Sequence, residues 1–211
     1  MRTFCPKIKI CGLTNLDQAL ACVELGADWL GFNCWHGSPR YVNPSKIFEI
    51  ISHLPKTVTT VGVFVNERPF SVDKIMDRTG LDVAQLHGDE TPEYIKKIKS
   101  SWIKAFRFKP EFKTEDVKFF GQETFLLDAY SKNNYGGSGK TLDWNEASKF
   151  SRLGKLILAG GLNPENISEA VNKVNPWGVD VCSGVEKEPG IKDMKKVSDF
   201  VKSVNKVVKL K

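Results

Sequence analysis

Cys11 closes the run Lys7-Ile8-Lys9-Ile10-Cys11 and is followed by Gly12-Leu13-Thr14-Asn15. Alternate side chains of a strand share a face, so Lys7, Lys9 and Cys11 lie on one side and the two isoleucines on the other. A thiol in that place is either a small packed hydrophobe or a base. The isoleucines suit a face covered by helices, which turns Lys9 and Cys11 toward an interior. A buried lysine needs an anionic partner. Val179-Asp180-Val181-Cys182 shows the same alternation and places Asp180 inward. If the last strand lies beside the first, Lys9 meets Asp180, and the ammonium raises the thiolate fraction of Cys11.

Asp128 ends the run Thr124–Ala129. There it is a helix cap, a salt-bridge partner, or an acid across the same mouth from Cys11. A base and an acid on opposite walls of one pocket move protons on a bound substrate. Arg40, in Gly37-Ser38-Pro39-Arg40-Tyr41-Val42, is either a surface charge or a fork for a substrate carboxylate. Gln85 and His87 end another apolar run and are assigned to substrate binding with Arg40, Lys9 and Asp180. A histidine there serves equally as a hydrogen-bonded structural residue. Three histidines without cysteine partners at ligand spacing show no metal cluster.

Leu158-Ala159-Gly160-Gly161-Leu162-Asn163-Pro164 and Cys182-Ser183-Gly184 follow two late apolar runs. Glycines let a backbone approach a ligand closely, and free N–H groups near a helix start attract phosphate oxygens. Gly160, Gly161, Asn163, Ser183 and Gly184 are therefore candidate phosphate-binding residues.

Positioning all these groups requires a repeated unit. Apolar runs at 7–11, 28–33, 58–65, 82–87, 102–108, 124–129, 155–160 and 178–183 alternate with amphipathic segments. Asn43-Pro44, Thr91-Pro92 and Asn163-Pro164 pair a cap residue with a proline suited to the first helical position. Gly26 and Gly80 suit helix stops. The last amphipathic segment reads as a helix from Ile191 onward. Eight such pairs argue for a parallel sheet with helical crossovers. An open doubly wound sheet is the rival. With no dinucleotide fingerprint, eight units favour a closed (β/α)8 TIM barrel, in which catalytic groups sit at the C-terminal strand ends. Its 211 residues suit one domain with short loops and helices.

Composition excludes several classes. The chain is 41% hydrophobic and 27% charged, as an ordinary globular protein is. No apolar run approaches the ~20 residues of a membrane span, and no signal-peptide core is visible. Five scattered cysteines without CxxC spacing indicate free thiols in a reducing, cytoplasmic setting. The net charge of +6 comes from lysines dispersed at helical spacing, the pattern of solvated helix faces rather than of a nucleic-acid stripe. A modest positive field suits a small anionic, phosphorylated substrate.

Taken in order, KICGLT, SPRYV, VGVFVN, QLHG, LLDA, GGSGKTLDW, LAGGLNPENI and VDVCSGVE resemble the phosphoribosylanthranilate isomerases of tryptophan biosynthesis over about residues 7–193. The resemblance implies a (β/α)8 barrel without metal or organic cofactor. It implies an Amadori rearrangement of N-(5-phosphoribosyl)anthranilate, with Asp128 as general acid and Cys11 as general base. Arg40 would hold the anthranilate carboxylate, the two glycine loops the phosphate, and GGSGKTLDW would cover the site, with Asp143 opening the next helix. Cys182 stands where serine is usual. Indole-3-glycerol-phosphate synthase is a competing enzyme class, but its strand-end Glu is replaced here by Cys11. A basic RNA- or protein-binding module is a third reading. The sequence leaves the oligomeric state open.

Overall fold

In the computed structural model, which describes residues 5–109, 111–129 and 143–209, the eight apolar runs form eight parallel strands closed into a barrel. They are β1 (Lys7–Cys11), β2 (Trp29–Asn33), β3 (Thr59–Phe64), β4 (Val83–Leu86), β5 (Trp102–Phe108), β6 (Thr124–Ala129), β7 (Lys155–Leu158) and β8 (Gly178–Val181). Strand order follows chain order, and β1 pairs with both β2 and β8. This is the (β/α)8 barrel. Several strands stop one or two residues short of the apolar runs, and those residues become the rim.

The helices are α1 (Leu16–Glu24), α2 (Pro44–Ser52), α3 (Pro69–Thr79), α4 (Pro92–Ile95), α5 (Thr114–Lys118), α6 (Trp144–Ala147), α7 (Ile167–Val174) and α8 (Met194–Lys209). Their starts follow cap chemistry. The side chains of Asn15, Asn43, Thr91 and Asp143 accept backbone N–H groups of the first turns of α1, α2, α4 and α6. This leaves fewer orphan donors at those ends. Gly80 ends α3 in the left-handed conformation. Asn163 acts one turn early: its side chain accepts from the N–H groups of Glu165 and Asn166, and α7 starts at Ile167.

One expected helix start is corrected. Ile191 and Lys192 form β10, which pairs antiparallel with β9 (Glu186–Glu188), and α8 begins only at Met194. The hairpin turns at Gly190, and the Lys192 backbone N–H donates to Gln18 Oε1.

Two apolar layers result. Ile8, Ile10, Leu30, Phe32, Phe64, Leu86, Phe125, Leu127 and Val181 are buried in the larger core cluster, which the helices share. Inside the ring, Ile103, Ala105, Leu126, Ile157 and Ala159 pack with Trp29, Val83 and Trp177 and form a separate apolar plug. Polar inward-facing residues gather at the strands' C-terminal ends. Among the described residues, no helix is long and apolar enough to cross a membrane.

Candidate active site

One pocket at the C-terminal rim is lined by Cys11, Arg40, Gln85, His87, Asp128, Gly160, Gly161, Asp180 and Ser183, together with Asn33, Val63 and Cys182. Nine of the twelve residues chosen from the sequence therefore meet in one cavity. Lys9, Asn163 and Gly184 are outside its lining. Lys9 lies under the floor, 2% exposed. Asn163 is engaged with the turn before α7. Gly184 packs where a side chain would collide with the Leu162 carbonyl, so it fits the loops after β7 and β8 against each other.

The register of β1 and β8 sets Lys9 beside Asp180, and Lys9 Nζ donates to Asp180 Oδ1 at 3.1 Å. Burial opposes the Lys9 charge, but Asp180 and the Cys11 sulfur hold its pKa above the ordinary lysine value. Burial, aided by the Cys11 charge and against the pull of Lys9, pushes Asp180 up to about 7. Two acidic groups thus share one ammonium.

The approach to Cys11 depends on Gly31, its partner on β2. A methyl group at Gly31 would stand 2.7 Å from Cys11 Sγ and 3.0 Å from Lys9 Nζ. The missing side chain leaves room for thiol and ammonium together. A hydrogen bond from the Cys182 thiol, against burial and with Lys9 and Lys192 assisting, holds Cys11 well below the usual thiol pKa. Cys182 is correspondingly raised by that hydrogen bond and by burial. Lys192 Nζ, 3.9 Å from Cys182 Sγ, and Arg40 pull the other way on Cys182.

Across the pocket, Asp128 Oδ2 lies 3.1 Å from His87 Nε2, and His87 Nδ1 lies 2.9 Å from the Gln85 side-chain nitrogen. All three are buried. The loop after β4 is fixed from behind by Lys104, whose ammonium donates to the carbonyls of Leu86 and Gly88 and to Glu90 Oε2.

Arg40 reaches the pocket from the loop after β2 but also forks onto Glu186, with Nε at 2.9 Å from Oε1 and one terminal nitrogen at 2.6 Å from Oε2. Lys192 Nζ adds a third contact at 2.8 Å from Oε1. Glu186 and Lys192 were missed by the sequence reading. The only hint was the position of Glu186 two residues after Ser183-Gly184, and nothing local marks Lys192 as buried. The other rim carries Gly160 and Gly161, both with positive φ (88° and 64°), a backbone shape that favours glycine. Their loop and the turn of Ser183–Val185 border the same cavity. The segment expected to cover the site lies outside the described residues except for Asp143 and Trp144; Asp143 caps α6 as expected.

Fold and pocket together define a (β/α)8-barrel enzyme site with a buried cysteine, a carboxyl group and a glycine-lined rim. The family model described as N-(5'phosphoribosyl)anthranilate (PRA) isomerase matches residues 8–203. The chain belongs to that family. It is 46% identical over 196 residues to the N-(5'-phosphoribosyl)anthranilate isomerase of Geobacter sulfurreducens, covering 93% of this chain and 97% of that one. It is similar to the crystal structure of phosphoribosyl anthranilate isomerase from Thermotoga maritima, with a TM-score of 0.89 and 39% identity over 95% of this chain and 99% of that one. A further crystal structure of the enzyme, in complex with reduced 1-(o-carboxyphenylamino)-1-deoxyribulose 5-phosphate, matches with a TM-score of 0.86 and 37% identity, covering 95% of this chain and 99% of that one.

Proposed function

We propose that this chain isomerises N-(5′-phosphoribosyl)anthranilate to 1-(2-carboxyphenylamino)-1-deoxyribulose 5-phosphate in tryptophan biosynthesis, in the cytoplasm. The observation that carries the reading is the meeting of Cys11, favoured as thiolate, and Asp128 in one cavity bordered by glycine loops. The Geobacter and Thermotoga relatives carry that enzyme's name, and a bound reduced product analogue in a related structure supports a phosphorylated ligand.

Asp128, as general acid, gives its proton to the furanose ring oxygen. The C1′–O bond breaks as the anilino nitrogen lone pair forms an iminium. Cys11, as general base, removes the C2′ proton, and its electron pair neutralises the iminium to give an enolamine. The enolamine then tautomerises to the ketone. Lys9 acts from below the pocket by stabilising the thiolate, and Asp180, in the pocket's lining, acts by holding Lys9. Arg40 contacts the anthranilate carboxylate at the pocket's edge while Glu186 fixes its direction. Gly160, Gly161 and Ser183 hold the phosphate with backbone N–H groups, and Asn163 and Gly184 shape those loops.

The experiment is direct. Freshly generated phosphoribosylanthranilate is added to the purified chain and the loss of anthranilate-type fluorescence is followed. The expectation is turnover, reduced by at least ~10²-fold in Cys11→Ala and in Asp128→Asn, the range for losing a general base or acid. An inactive parent protein would refute the function. Near-parental rates in both variants would refute the roles.

A further inference from the structure

β1 and β8 pair as far as Ile10 and Val181, and the next residue on each is a cysteine, Cys11 and Cys182. Neighbouring strands run about 4.7–4.9 Å apart, and the Cα atoms of a disulfide lie about 4.4–6.8 Å apart. Residues paired across neighbouring strands turn to the same face, and both cysteines line the pocket. Their sulfurs are in hydrogen-bond contact. Two glycines leave those sulfurs uncovered on one side. A methyl group at Gly12 would stand 2.9 Å from Cys182 Sγ, and one at Gly31 would stand 2.7 Å from Cys11 Sγ.

The surroundings favour reaction. Lys9 faces the Cys11 sulfur, and Lys192 Nζ lies 3.9 Å from Cys182 Sγ. Glu186 Oε1, 4.0 Å from the same sulfur, is the opposing charge. Cations raise the thiolate fraction, and the thiolate is the form that attacks. The other cysteines lack this setting: burial pushes Cys22 and Cys34 each up to about 12, and Cys5 is exposed beside Asn205.

We propose that Cys11 and Cys182 form a reversible oxidation site, in which a hydroperoxide entering the pocket converts the two thiols into a disulfide. One sulfur attacks the peroxide: an S–O bond forms, the O–O bond breaks, and the departing oxygen takes a proton from solvent. The second sulfur then attacks the first. An S–S bond forms, the S–O bond breaks, and hydroxide leaves with the second thiol's proton as water. The two sulfurs together lose two electrons, and the peroxide gains them. Either cysteine serves as the first nucleophile, and the product is the same. A dithiol reopens the bond by exchange. In a reducing compartment such a bond is transient and redox-sensing rather than a staple. That the linked form is inactive rests on reading Cys11 as the base, because a disulfide sulfur is no longer basic enough to take a proton.

The test treats the reduced, purified chain with excess hydrogen peroxide, blocks the remaining thiols with an alkylating agent and maps linked peptides by fragmentation in a mass spectrometer. The expected link is Cys11–Cys182, formed at a rate independent of protein concentration. Turnover of phosphoribosylanthranilate falls by at least ~10²-fold in the linked protein, as for loss of a general base, and dithiothreitol restores it. Cys182→Ser is compared with its own starting rate. Without a second thiol its Cys11 goes on to the sulfinic acid, and dithiothreitol does not restore turnover. Absence of the Cys11–Cys182 link in the parent overturns the proposal, whatever the variant does. Equal recovery in parent and variant also overturns it. Failure of the base assignment reads differently: the link forms and reopens while turnover persists, which supports the oxidation site and refutes the base.

Discussion

Lys9 and Asp180 are 171 residues apart in the chain, and their side chains meet at 3.1 Å inside the barrel, 2% and 8% exposed. The same ammonium faces the Cys11 sulfur and favours the charged form of both neighbours. An opposite charge within a few ångströms stabilises the ionised form of a thiol. Lys9→Met therefore raises the Cys11 pKa. The alkylation rate of the Cys11 peptide, followed by mass spectrometry against pH, should show its midpoint move up by about 1–3 units. An unchanged midpoint removes Lys9 from the account of the base. Reading Cys11 by its own peptide avoids interference from the exposed Cys5.

The close approach at Gly31 gives a test without any change of charge. A methyl group there meets Cys11 Sγ at 2.7 Å and Lys9 Nζ at 3.0 Å, closer than packed atoms tolerate. In Gly31→Ala the thiol and ammonium are pushed apart. We expect kcat to fall about tenfold or more with little change in KM. A fall confined to KM would show that the thiol had not moved.

Arg40→Ala loses a charge-assisted fork and the grip on the substrate carboxylate. KM should rise ~10-fold or more, since hydrogen bonds to charged groups contribute about 1.5–3 kcal/mol. Arg40→Lys keeps the charge but not the planar fork, and should recover only part of the loss. An unchanged KM in Arg40→Ala would leave Arg40 with only its internal role.

Glu186 carries a pH signature. Burial works against its charge, yet Arg40 and Lys192 hold its pKa below the ordinary glutamate value. A depressed acid pKa means the unfolded chain binds the proton more readily than the folded one. The stabilisation is thus present above about pH 4.3 and is lost as pH falls through the folded value. Urea unfolding at pH 7 and at pH 4 should show a smaller loss of stability on acidification in Glu186→Gln than in the parent. Equal losses would refute the pairing as a source of acid sensitivity.

Lys104 and Glu90 form a second buried pair, at 2.9 Å. Removing one member leaves the other charge buried and alone, which costs about 3–5 kcal/mol. Lys104→Met should lower the melting temperature sharply, and adding Glu90→Gln should cost less than the sum of the two single changes. Strict additivity would show that the two do not act as a pair.

Much of this was legible in the chain itself. The alternation Lys9–Cys11 against Ile8–Ile10 gave the inward face of β1, and the same pattern gave Asp180 on β8. Asn43 and Thr91, each before a proline, announced helix starts through the chemistry of their own side chains. What failed was local ambiguity. Ile191-Lys192 reads as the first turn of an amphipathic helix, yet antiparallel pairing with β9 makes it a strand. Lys192 looked like one more surface lysine and is instead buried against Glu186.

The sequence by itself determined the repeat of strand and helix and the residue types gathered at the strand ends. Periodicity and capping are properties of near neighbours, so near neighbours suffice to read them. Only the closed barrel decided that Glu186 fixes Arg40, that Cys182 and Cys11 line the same pocket, and that Gln85 and His87 stand behind Asp128. These relationships join residues far apart in the chain, and hydrogen bonds and proton positions change over fractions of an ångström. Such distances exist only once β8 has closed against β1 and every strand is in register.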